Sequence, residues 1–116
     1  MSWRHSPVAI VAVCLMPAGA AFGQNFPNKP IRVVTGGVGS GSDFVARLIA
    51  QGLAPGLGQQ MIVDNRGTGV IPGQIVVKAL PDGYTLLFYG NAMWLAPLMQ
   101  DEIAYDATRN FSPITL

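Results

Sequence analysis

Gly39-Ser40-Gly41-Ser42-Asp43 packs two glycines, two hydroxyls and a carboxylate into five residues, directly ahead of a stretch with helical periodicity. Backbone N–H groups at a helix start lack intrahelical acceptors and carry partial positive charge. Glycines let an anion approach those groups closely, and hydroxyls add further donors. The chemistry this segment supports is therefore anion binding, with Gly39, Ser40, Gly41 and Ser42 as candidate contacts. Asp43 is itself negative, so its expected role is to cap and orient the turn. Two other turns have a similar character. Asn65-Arg66-Gly67-Thr68-Gly69 offers Thr68 as a donor and Asn65 as a turn residue, and Gly90-Asn91 offers the Asn91 side-chain amide.

Catalytic and metal chemistry find few carriers. Ser42 has no histidine partner in the exported part of the chain, because His5 lies in the leader described below. A dinucleotide fingerprint needs G-x-G-x-x-G, and after Gly37 and Gly39 the third position is Ser42. Asp64 stands where a ribose-binding acid would, which keeps nucleotide binding open as an alternative. A phosphate loop would need Gly-Lys-Ser/Thr, and no lysine occurs between Pro30 and Val77. Metal-ligand spacing is absent, and the adjacent Asp101 and Glu102 read as a solvated pair. The expectation is a protein that is not an enzyme and carries no cofactor or metal.

The first residues read as an export signal. Arg4 and His5 precede an uncharged, mostly apolar run from Val8 to Phe22, and Ala21-Phe22-Gly23 places small residues where a signal peptidase would cut. That run is shorter than a membrane span and is interrupted by Pro17. Cys14, the single cysteine, sits inside it, so residues 24–116 have no thiol and no disulfide. Removal of Arg4 with the leader leaves six basic and six acidic side chains. Such a balance lacks the basic stripe that nucleic acid requires.

The turns need elements to hold them. Ile31-Arg32-Val33-Val34-Thr35 is a β-branched run that predicts a buried strand. A helix follows to about Leu57, capped by Ser42 or Asp43 and ended by Gly56 and Gly58. Its Val45, Leu48, Ile49 and Leu53 fall at helical spacing and are expected to face a sheet. Met61–Asp64 predicts a second strand, and Pro72–Ala79 a helix. Pro81-Asp82-Gly83 predicts a tight turn. Thr85–Tyr89 predicts a third strand, and Ala92–Met99 a buried helix. Tyr84, Phe88, Tyr89 and Trp94 read as packing residues. This β-α-β-α-β-α order predicts an α/β fold with a mostly parallel sheet and flanking helices. In such sheets ligands bind at the C-terminal strand ends, where all three turns fall.

Several blocks together are similar to the substrate-binding receptors of tripartite tricarboxylate transporters, the Bug family. They are Phe26-Pro27-Asn28-Lys29-Pro30-Ile31-Arg32, the glycine turn with Val45-Ala46-Arg47-Leu48, Leu57-Gly58-Gln59-Gln60 and Val63-Asp64-Asn65-Arg66. Ala79-Leu80-Pro81-Asp82-Gly83-Tyr84-Thr85-Leu86-Leu87 and Tyr105-Asp106 with Phe111-Ser112-Pro113-Ile114-Thr115-Leu116 complete the set. The chain departs from the family at the glycine turn, where Ser40 and Ser42 replace members of a Gly-Gly-Gly-Thr/Asn-Asp pattern. The turn after Arg66 is also one residue shorter.

The resemblance implies part of a two-lobed periplasmic binding protein of the type II, flytrap kind. Residues 24–112 would form the first segment of lobe I, and residues 113–116 would start the crossover to a second lobe that this chain lacks. The implied ligand is a small organic carboxylate, held by backbone N–H groups, hydroxyls and water. The implied partners are membrane transporter subunits, met transiently in the periplasm after cleavage of residues 1–23. Two other readings stand beside this one: a piece of a nucleotide-binding α/β enzyme, and a truncated remnant that binds nothing.

Overall fold

The computed structural model describes residues 25–115, so the expected leader and its cleavage site lie outside the described residues, as does Leu116. Six elements alternate: β1 (Ile31–Thr35), α1 (Gly41–Leu57), β2 (Met61–Asn65), α2 (Ile71–Val77), β3 (Thr85–Leu87) and α3 (Ala92–Met99). The three strands form one parallel sheet in the order β2-β1-β3. Val33 lies opposite Val63 on one side and Leu86 on the other. This is the α/β architecture that the alternation predicts.

β1 is the centre of the molecule. Its Val34 and Thr35 are wholly buried, and Ile31 and Val33 nearly so. A parallel strand covered on both faces needs apolar, β-branched residues at successive positions, and this run supplies them. The steps from β1 to β2 and from β2 to β3 run in opposite directions across the sheet. Right-handed crossovers therefore put α1 and α2 on opposite faces. Strand alternation sends Thr35, Val63 and Asn65 toward α1, and Val34 and Asp64 toward the other face.

α1 meets the sheet through a different stripe from the one its large apolar residues suggest. Ala46 and Ala50 are buried, together with Asp43, whereas Val45, Leu48, Ile49 and Leu53 are 39–52% exposed. The helical period is as expected, but the phase is rotated. Small alanines let the helix lie close to β1 and β2, and the bulkier side chains point away from the sheet. A hollow of about 180 Å³ remains between α1 and β2, lined by Arg47, Ala50, Gln51, Met61 and Val63. The cap also differs from expectation. Ser40 is the N-cap residue, its Oγ accepting the Asp43 amide at 3.2 Å. Gly56 lies within the helix, and Gly58 alone ends it, in the left-handed region at φ 65°.

α3 is not a buried helix. Met93 and Ala96 are covered, but Trp94 is about half exposed, and Leu98 and Met99 are more than 80% exposed. Trp94 is thus not a core residue. Behind α3 the chain returns to α2. The Tyr105 ring, 6% exposed, lies where a Cβ on Gly73 would meet its Cε1 at 2.7 Å. Phe111 meets the same ring edge-on, centroids 5.7 Å apart. At the other end of the sheet, Tyr84 anchors the entering segment. Its hydroxyl donates to Asn28 Oδ1 and accepts the Asn28 amide, both at 2.9 Å. Its ring packs on Phe26 at 4.9 Å and lies under the Lys29 ammonium. The Phe-Pro-Asn-Lys and Pro-Asp-Gly-Tyr blocks are one interlocked structure.

Candidate anion-binding site

The three turns identified in the sequence meet along the C-terminal edge of the sheet. In the order β2-β1-β3 the point where chain direction reverses lies between β1 and β3, and crevices at such points are where α/β sheets hold ligands.

Asp43 and Asn65 organise the turn between β1 and α1. Asp43 Oδ2 accepts the Gly39 amide at 2.9 Å, fixing the loop at a residue whose φ is +81°. Asp43 Oδ1 accepts from Arg47 Nε at 3.0 Å and from Asn65 Nδ2 at 2.8 Å. The same Asn65 amide group donates to the Gly36 carbonyl at 2.8 Å, and its Oδ1 accepts from Arg47 Nη2 at 3.0 Å. The end of β2 is thereby tied to the loop that follows β1. Asp43 is 5% exposed, yet the Gly39 amide, the Asn65 amide and the Arg47 guanidinium hold its carboxyl below the usual range.

On this scaffold the hydroxyls of Ser40 and Ser42 lie 3.0 Å apart. Ser40 Oγ already accepts the Asp43 amide, so its proton points elsewhere, either to Ser42 or outward. Ser40 can pass its proton toward Ser42, which leaves the Ser42 hydroxyl free to donate outward. The amides of Gly41 and Ser42, in the first turn of α1, have no intrahelical acceptor. Nothing lies within 4 Å of the position a Gly41 Cβ would take, so the surface beside this first turn is open.

Gly36 was not singled out in the sequence, and the structure explains its identity. A Cβ there would meet Tyr89 Cε2 at 3.0 Å, Ser42 Oγ at 3.1 Å and Ser40 Oγ at 3.5 Å. Tyr89 is therefore not simply a core residue but part of this edge. A sequence signal existed: an aromatic one residue from a glycine at the end of β3, opposite a glycine at the end of β1. The Thr35 hydroxyl, fully buried on the α1 side of β1, has no hydrogen-bond partner among the described residues.

The remaining predicted residues sit slightly apart. Asn91 makes no side-chain cap on α3. It lines an open groove of about 260 Å³ with Gly69, Ala92, Leu95, Ala96, Met99 and Gln100. Thr68 is exposed between Gly67 and Gly69, and is not brought onto the serine pair by any hydrogen bond among the described residues. A Cβ on Gly37 would lie 3.9 Å from the Gly67 carbonyl, so the two glycine turns are neighbours.

Asp64, the residue that kept a nucleotide reading open, is committed elsewhere. It faces away from α1 and is bridged by Arg32 and by Arg66 Nε at 2.8 Å. Burial opposes its ionisation, but the two guanidiniums outweigh that and hold its carboxyl below the usual range. Among the described residues, no cluster of three His, Cys, Asp or Glu could hold a metal ion. No helix there is long and apolar enough to cross a membrane.

The profile of the tripartite tricarboxylate transporter family receptor matches residues 45–116, more than half of the chain. A UPF0065 protein of Bordetella bronchiseptica is 48% identical over 82% of this chain, which covers 30% of that relative. Protein BugT of Bordetella pertussis is 30% identical over 94% of this chain, which covers 36% of it. A solved structure described as a periplasmic transporter overlays with a TM-score of 0.51 and 40% identity, over 53% of this chain and 22% of its own. The chain thus spans about a third of the length of these curated relatives. By the matching profile and the parallel α/β edge just described, this chain belongs to the tripartite tricarboxylate transporter receptor family, a family of receptors and not of enzymes.

Proposed function

We propose that this chain carries the carboxylate-binding edge of an exported solute receptor that hands its ligand to membrane transporter subunits. One observation carries the reading: the Ser40 and Ser42 hydroxyls lie 3.0 Å apart at the N-terminus of α1, beside the switch point of a parallel sheet. A carboxylate has two oxygens and needs several convergent donors, which this arrangement offers without a competing free carboxylate. Asp43 turns both oxygens inward to Gly39, Arg47 and Asn65. Thr68 and Asn91 belong to the outer rim of the same edge. Export would remove residues 1–23, and mass spectrometry of the exported protein should give an N-terminus near Gln24.

Calorimetric titration with succinate and with citrate tests the reading. Ser42→Ala should weaken binding about 10-fold or more, the loss of one hydrogen bond to a charged group. Lys78→Ala, at an exposed position on the far side of α2, should bind as the unsubstituted protein does. Equal affinity in Ser42→Ala and Lys78→Ala would place the anion elsewhere. The nucleotide reading has lost its acidic residue to Arg32 and Arg66, and titration with ATP under the same conditions should give no heat.

A further inference from the structure

The Gly36 cradle brings three atoms from two turns to one point. Tyr89 Cε2, Ser42 Oγ and Ser40 Oγ all fall within 3.5 Å of the position that a Cβ would occupy. Gly36 is buried by this convergence, and its φ is not in the left-handed region that favours glycine. The glycine is there for space, and the space is filled by an aromatic ring and two hydroxyls. Tyr89 lies two residues after β3, whereas the serines follow β1, so their meeting is a product of the parallel β1–β3 pairing. The ring is only partly covered, and no hydrogen bond among those of the described residues holds its phenol.

We infer that Tyr89 is a ligand-contacting residue of the carboxylate site, its ring edge forming the wall against which a carboxylate held by Ser40 and Ser42 rests. This rests on the carboxylate reading above. A carboxylate rests favourably only against the positive edge of an aromatic ring, and a cation only over its negative face, so this wall takes a carboxylate where the ring turns its edge to the serines. It also stands on the β3 side of the serines, so the rest of a bound ligand must leave toward α1 or the open edge.

Proton NMR of the protein titrated with succinate, with succinamide as the uncharged control, tests this directly. Tyr89 ε-proton signals should shift with succinate, show cross-peaks to its methylene protons, and stay unmoved by succinamide. Tyr89→Leu should weaken succinate binding about three- to tenfold, the size of one aromatic contact, while Tyr89→Phe should keep it. Trp94→Ala, another exposed aromatic, should change nothing. If succinate binds, Ser42→Ala weakens it, and the Tyr89 signals do not move, the ring is not a contact and the carboxylate reading stands alone. If Ser42→Ala leaves succinate binding intact, the carboxylate site itself is misplaced and the role of Tyr89 falls with it. The ring signals are read on the unsubstituted protein, so a Tyr89→Leu variant that fails to fold does not decide the outcome.

Discussion

Replacing Gly73 by alanine should destabilise this protein, although the same change elsewhere in a helix should stabilise it. Gly73 lies inside α2, and glycine in a helix interior is about 0.8–1.0 kcal/mol less favourable than alanine. On propensity alone the substitution is a gain. The structure reverses the sign. A Cβ at Gly73 would stand 2.7 Å from Tyr105 Cε1, 2.9 Å from Cζ and 3.2 Å from Cδ1. Ordinary carbon contacts lie at about 3.5–4.0 Å, so the ring must retreat by nearly 1 Å. It has little room, because Phe111 meets it edge-on and its hydroxyl reaches the Met93 carbonyl at 3.4 Å. Overpacking of this kind costs about 1–3 kcal/mol. Expelling the ring altogether would cost more: a buried tyrosine covers about 150–250 Å², worth about 4–6 kcal/mol at 25 cal/mol/Å². The ring therefore shifts without leaving, and the net loss is about 1 kcal/mol.

Gly52 supplies the comparison, since it lies in α1 with nothing within 4 Å of its Cβ position. Gly52→Ala should raise stability by about 0.5–1 kcal/mol. Urea midpoints of the two variants should move in opposite directions. Tyr105→Ala provides the second leg of a double-mutant cycle, and in that background Gly73→Ala should become stabilising. A Gly73→Ala variant that is more stable than the unsubstituted protein would refute the packing of Tyr105 on α2.

The other expectations concern the C-terminal edge. Ser40→Ala removes the N-cap of α1 and should cost about 0.5–2 kcal/mol in urea denaturation, whereas Ser42→Ala, which caps nothing, should leave stability nearly unchanged. Thr35→Val replaces a buried, unpartnered hydroxyl by a methyl and should raise stability by about 1 kcal/mol; a loss instead would show that the hydroxyl is engaged. Asp43, Asp64 and Asp106 all have carboxyls held below their usual value, so their contribution is complete above about pH 4, the unfolded value, and is lost as pH falls through the depressed folded values. Urea midpoints should be level from neutral pH to near pH 5 and then fall, with a shallower acid limb in Asp43→Asn. Succinate affinity should change no more than about threefold between 0.05 and 0.5 M salt if neutral donors hold the anion, and should fall far more steeply if an exposed arginine does.

The parts of the fold that depend on local chemistry were legible in the sequence. The β-branched run Ile31–Thr35 marks the central strand, and the C-terminal end of α1 and both ends of α3 follow from glycine turns and apolar content. What escaped is what depends on volume. Periodicity treats Ala46 and Leu48 alike as apolar, yet only the small residue can lie against a close-packed sheet, so the buried stripe of α1 is the alanine one. The Asn65 side chain could be placed in a turn but not given its three partners, because those come from the loop after β1 and from α1, 18 to 29 residues away. Gly36 and Tyr89 escaped for the same reason: 53 positions separate them, and only the β1–β3 pairing brings them together.

The charges of this edge explain how a binding surface can share residues with the scaffold. Each arginine among the described residues is paired with a carboxylate: Arg32 and Arg66 with Asp64, Arg47 with Asp43, Arg109 with Asp106. Asp43 in the first turn of α1 and Asp64 near the C-terminal end of β2 both lie toward this edge, where an unpaired carboxylate would repel an incoming anion. Arg47 neutralises the first from the α1 side, and Arg32 with Arg66 the second from the opposite face. The arginine of each pair is more than a third exposed, so each pair adds little stability of its own. Their larger effect is on the field at the serine pair, which is left with the partial positive end of α1 and no competing full charge. In the proposed function, anion recognition and the anchoring of the β1–α1 loop fall to different side chains: Asp43 serves the loop, Ser42 takes the carboxylate, and Ser40, which accepts the Asp43 amide and lies 3.0 Å from the Ser42 hydroxyl, joins the two.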